Sequence, residues 1–77
     1  KPVFKVQLLV SSNVLKSDDN RFKGLTNIES YKEGLYKYTY GASTNYNEIY
    51  RLRKQILDRF PDAFIVAFKN GNKMARI

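Results

Sequence analysis

Catalysis needs side chains that attack, move a proton or hold a metal, and this sequence is poor in all three. It has no histidine and no cysteine. That removes the commonest general base, the thiol nucleophile, disulfides and the usual zinc ligands together. Ser11-Ser12 and Ser43-Thr44 carry hydroxyls, but no imidazole stands anywhere to activate them, so triad chemistry is not expected. Asp18-Asp19 is a carboxylate pair without an obvious third ligand, and its simpler use is to cap a helix. What remains are groups that bind: amides, amines, hydroxyls and aromatic rings. The expectation is a domain that recognises a partner, with no catalytic residue, metal or cofactor of its own.

Lys5 and Gln7 are the first such groups. They interrupt Val3 to Val10, a run of β-branched and apolar residues that reads as a strand. Phe4, Val6, Leu8 and Val10 share one parity and would line the core, leaving Lys5, Gln7 and Leu9 on the other face. The Gln7 amide there offers both donors and an acceptor. Ile28 to Lys32 and Leu35 to Tyr40 read as two short strands around Glu33-Gly34, the glycine supplying the positive φ of a tight turn. Tyr36, Tyr38 and Tyr40 alternate along the second with Leu35, Lys37 and Thr39. Tyr31, on the first, is an aromatic candidate for an exposed sheet face.

The remaining elements must hold these strands. Between Ser11 and Asn27, Ser, Asn and Asp predominate; Ser17 or Asp18 could cap one or two helical turns running to Lys23, with Gly24 as the stop. Asn45 with Glu48 three residues on forms a capping-box-like pair. Ile49, Leu52, Ile56 and Phe60 then recur at helical spacing until Pro61 forbids continuation. Ala63 to Phe68 is a last strand, Asn70-Gly71-Asn72 a turn, and residues 70–77 a flexible tail. The order gives an α+β fold, βαββαβ and ferredoxin- or RNP-like. Its four-stranded antiparallel sheet carries helices on one face, the first of them short or degenerate. The opposite face would stand open to solvent and is the natural place for a partner.

With 77 residues, the chain supports one domain (1–77, core 3–69) and one modest core. It opens on Lys1 instead of Met, as an excised piece of a longer polypeptide would. No apolar run is long enough to cross a membrane as a helix. Fourteen basic residues against seven acidic ones give a net charge of +7, favouring a polyanionic partner. The charges are spread along the chain, so a merely solubilising surface is an equal reading.

Three segments resemble a known family. Phe4-Lys5-Val6-Gln7-Leu8 is similar to the aromatic-x-Val-Gln opening of SPOR domains, the sporulation-related repeats that bind bacterial peptidoglycan. Leu35-Tyr36-Lys37-Tyr38-Thr39-Tyr40-Gly41 resembles their aromatic-Arg-Val-x-Val-Gly strand, and Leu52-Arg53 followed by Asp62-Ala63-Phe64-Ile65-Val66 their closing helix and strand. Phe22-Lys23-Gly24-Leu25 adds a likeness to the C-terminal modules of Bacteroidetes N-acetylmuramoyl-L-alanine amidases. The sequence departs from the family at Leu9-Val10, where Gly-Ser is frequent.

The resemblance implies a non-catalytic module whose open sheet face holds glycan strands stripped of stem peptides. It would target an attached upstream amidase to the septal cell wall, in the periplasm of a Gram-negative bacterium. Carried over by position, Gln7, Leu35, Lys37 and Ile65 would contact the glycan, with Lys5, Tyr31 and Ser11 beside them. Lys37 would meet the muramic acid carboxylate, and Tyr36, Tyr38 and Tyr40 would fall at core-facing positions. No nucleic acid, membrane or second copy of the chain is called for. The alternative is an RRM-like binder of single-stranded nucleic acid, suggested by element order and charge, although the aromatic RNP pattern is missing.

Overall fold

The apolar run at the start of the chain forms β1 (Val3–Ser11) in the computed structural model, which describes residues 1–76. β1 lies at the centre of the sheet. It pairs on one side with β3 (Leu35–Ser43) and on the other with β4 (Phe64–Lys69). β2 (Ile28–Glu33) flanks β3 through a hairpin at Gly34, and β5 (Asn72–Lys73) flanks β4. The order is β2-β3-β1-β4-β5, antiparallel throughout. The α+β class expected from the sequence therefore holds, but with five strands and one α-helix in place of a four-stranded βαββαβ arrangement.

Two local causes account for that difference. The first expected helix is only a 3₁₀ turn, Asn20–Phe22, capped by the Asp19 carboxylate, which accepts from the Arg21 amide. Lys23 at φ 53° and Gly24 at φ 83° then turn the chain left-handed and end it. The fifth strand comes from Asn70-Gly71, whose φ values of 53° and 80° are those of a two-residue hairpin turn. The chain folds back on β4, and the Met74 amide donates to the Ala67 carbonyl at 2.8 Å. The segment expected to be a flexible tail is thus partly strand; Ile77 lies outside the described residues.

β1 also departs from simple alternation. Gln7 pairs with Thr39 but Leu9 with Tyr38, so Leu8 is an extra residue in the strand. Beyond this bulge the parity inverts. Leu8 is buried and Leu9 packs on the core, while Val10 pairs with Lys37 and is 44% exposed. The expected faces of Leu9 and Val10 are exchanged. A second irregularity lies on β3, where Gly41 and Ala42 together oppose Lys5. Gly41 sits at φ +79°, and a side chain there would overlap Leu52 Cδ2. The glycine thus permits both the bulge and the close approach of the helix.

That helix, α1 (Tyr46–Ile56), closes one face of the sheet with Ile49 and Ile56 buried. Its start is fixed by a small relay. The Asn45 side chain accepts from the Asn47 amide, and Ser43 Oγ accepts from the Asn45 amide while donating to Glu48 Oε2. The helix ends at Ile56, and a turn through Phe60 delivers the chain to Pro61. Arg53 Nε donates to the Ala63 carbonyl at 2.7 Å, pinning the helix to the start of β4. The core joins Val6, Leu8, Tyr38, Ile49, Ile56 and Phe60 to Phe22 from the 3₁₀ turn. Leu15 and Leu25, from the same long connection, pack around them. Tyr36 and Tyr40 pack against this core beside Tyr38, whose hydroxyl accepts from the Leu15 amide at 2.7 Å. Among the described residues no helix is long and apolar enough to cross a membrane.

Candidate functional site

The face opposite α1 carries Glu29, Tyr31 and Glu33 from β2 and Leu35, Lys37 and Thr39 from β3. β1 adds Val3, Lys5, Gln7 and Val10, and β4 adds Phe64, Val66 and Phe68, as the registers require. It is not a flat platform. Lys73 Nζ on β5 lies 3.4 Å from Glu33 Oε1 on β2, although on a flat sheet those strands would stand about 19 Å apart, four strand spacings. The two side chains together reach only roughly 10 Å. The sheet is therefore curled, and its concave side is spanned by side chains.

Three more contacts cross that concavity. Lys5 Nζ meets Glu29 Oε1 at 3.0 Å. Tyr31 Oη donates to Gln7 Oε1 at 2.6 Å, and the Tyr31 ring meets Phe68 edge to face, centroids 5.0 Å apart. Lys5 also sits over the Phe68 ring at 5.1 Å. Between these contacts remains a cavity of about 330 Å³, lined by Lys5, Tyr31, Thr39, Phe68 and the Asn70-Gly71 turn, with Val3 and Ser30 completing it. A larger hollow of about 770 Å³ lies in the arch of residues 17–28. It is lined by the connection between β1 and β2, and Asp19 within it is committed to Arg21.

Electrostatics on this face are already partly neutralised. Lys37 Nζ donates to Glu33 Oε1 at 2.7 Å and lies 6.0 Å from the Tyr31 ring centroid. The hydrogen bond from Lys37, aided by Lys73, holds the Glu33 carboxyl below its ordinary pKa. The same bond raises that of Lys37. Burial pushes the Tyr31 phenol upward, with Lys37 opposing.

The residues expected to form the site are therefore scattered. Lys5 and Tyr31 line the cavity. Gln7 faces the right side but is only 6% exposed and accepts from Tyr31, so it is a floor residue and not the exposed contact expected. Lys37 is engaged by Glu33, and Leu35 is exposed at the opening of β3, away from the cavity. Two expectations are overturned. Ile65 pairs with Val6 and packs on the core, which puts Phe64 and Phe68 on the concave face instead. Ser11 stands opposite Tyr36, on the core-side parity beyond the β1 bulge, and its hydroxyl accepts from the Asn13 amide.

Thr39, Phe68, Asn70 and Gly71 were not anticipated as lining residues. The Asn70-Gly71 pair is the hairpin signal that returns the chain along β4 and brings both residues to the cavity. Among the described residues no group of three or more acidic side chains could hold a metal. No family model, no curated protein and no solved structure matches the chain.

Proposed function

We propose that this chain is a non-catalytic glycan-binding module, taking peptidoglycan strands freed of stem peptides and carried by an attached cell-wall hydrolase of the amidase type. On this reading it works in the periplasm and directs its partner domain to the septal wall. The observation that carries the proposal is the cavity that the paired rings of Tyr31 and Phe68 line together with Lys5 and Thr39. Sugars present C–H faces to aromatic rings and hydroxyl or acetamido groups to polar side chains, and this cavity offers both kinds of surface. The net charge of +7 suits a ligand bearing muramic acid carboxylates. A dissociation constant in the micromolar range, about −8 kcal/mol, would serve a polymer that repeats its binding unit.

The test is sedimentation with peptidoglycan before and after enzymatic removal of stem peptides, followed by a chemical-shift titration with glycan fragments. Retention on the stripped polymer, with shifts at Lys5, Tyr31, Thr39 and Phe68, is expected. Shifts confined to α1, or equal retention on untreated sacculi, would overturn it. An oligonucleotide titrated in parallel should produce no saturable change on the concave face.

A further inference from the structure

We infer that the concave site takes the end of a saccharide chain, one terminal sugar unit, and not an internal stretch of an extended strand; this rests on the glycan reading above. The cavity lies between two contacts that bridge the concavity: Lys5 with Glu29 on one side, Tyr31 with Phe68 on the other. Beyond the second, Glu33 is tied at once to Lys37 and Lys73, joining the two edge strands. A strand laid through the concavity would have to displace an ion pair, an edge-to-face ring pair and the Tyr31 to Gln7 hydrogen bond together. A terminal unit held in the cavity, against the Asn70-Gly71 turn that completes its wall, would displace none of them.

Size agrees with that geometry. About 330 Å³ stands at the low end of the roughly 300–1,000 Å³ of small-molecule pockets, room for one hexosamine ring with its acetamido group. The groups present also suit a single ring. Phe68 and Tyr31 form an apolar corner, Thr39 a hydroxyl-bearing floor and Lys5 a cation beside it, all within one compartment. Towards Leu35 and Val10 the face carries one further ring, Phe64, 49% exposed and without an aromatic partner among the described residues, so no second paired-ring corner is offered to another sugar.

The experiment is a length series on the intact chain. Glycan fragments free of stem peptides, from disaccharide to octasaccharide, are titrated by calorimetry. Stripped polymer is then sedimented with the protein before and after brief muramidase cutting, which multiplies chain ends at constant mass. Per-chain affinity equal within twofold across the series is expected, with polymer capacity rising in proportion to the number of ends. Affinity climbing tenfold or more with length, or capacity that follows mass and ignores ends, would overturn end recognition while leaving glycan binding intact. Failure of every fragment and both polymers to bind would overturn both readings.

Discussion

Tyr31 on the edge strand β2 donates its hydroxyl to Gln7 on the central strand β1, across the intervening β3, at 2.6 Å. Gln7 is 6% exposed, so the bond satisfies a carbonyl that has little access to water. Removing one partner of such a pair costs more than the bond itself is worth, because the other is left unsatisfied. Tyr31→Phe should therefore destabilise the fold by about 1–2 kcal/mol, measured by urea unfolding. Tyr31→Phe combined with Gln7→Leu should cost less than the sum of the single changes. Strict additivity would mean that the hydrogen bond does not couple the strands.

Gly41 and Gly34 both have positive φ, at +79° and +74°, but only Gly41 is crowded. Nothing lies within 4 Å of a side chain built at Gly34, whereas one at Gly41 would meet Leu52 and, at 3.6 Å, Ile49 Cδ1. Gly34→Ala should cost about 1–2 kcal/mol for the left-handed backbone alone. Gly41→Ala should add about 1–3 kcal/mol of overpacking against α1. Equal losses in thermal or urea unfolding would show that the Leu52 side chain swings aside without penalty.

Much of the frame was legible because its signals are local. Asn45 and Glu48 mark the start of α1, Gly34 marks the hairpin, and alternation correctly sends Tyr38 inward. What escaped depends on single residues whose effects propagate. One extra residue at Leu8 exchanges the faces of Leu9 and Val10, and no periodicity in β1 announces it. On β4, Ile65 and Phe64 are both apolar, so the strand fits either way up. Only pairing Val6 with Ile65 decides that Phe64 and Phe68 face the concavity. The curl itself is a property of all five strands together. It makes Phe68 and Tyr31 neighbours from β4 and β2 and brings Lys73 to Glu33, whereas Lys37 meets Glu33 locally, across the β2–β3 hairpin.

Phe22 anchors the connection between β1 and β2 to the core. It is 1% exposed, and its ring lies 5.2 Å from that of Tyr38. The 3₁₀ turn that presents it has three residues, too few to be stable without this anchor. Phe22→Ala should cost about 3–5 kcal/mol, a large part of the roughly 5–15 kcal/mol available to a small domain. Amide exchange should accelerate most through residues 15–25. Uniform acceleration over all strands would argue that the connection and the sheet unfold as one unit.

Glu33 is the charge that locks the curl, and its titration has a definite sign. Its folded pKa is below the ordinary value of 4.5, chiefly because Lys37 donates a hydrogen bond to it, with Lys73 adding attraction. The stabilisation is therefore fully present above that ordinary value and is lost as pH falls through the depressed folded value. The Lys37 partner has its pKa raised above 10.5 by the same bond. Its share is present below 10.5 and lost only as pH rises through the raised value. The pair should hold across the neutral range and fail in acid. Glu33→Gln should lower the melting temperature relative to the unchanged chain at pH 6–8, and the difference should shrink towards zero as pH falls below Glu33's folded pKa. Because these groups are solvent-facing, raising salt should narrow the gap as well. A melting-temperature difference constant over this whole range would show that the β2–β5 contact contributes nothing to holding the concavity closed.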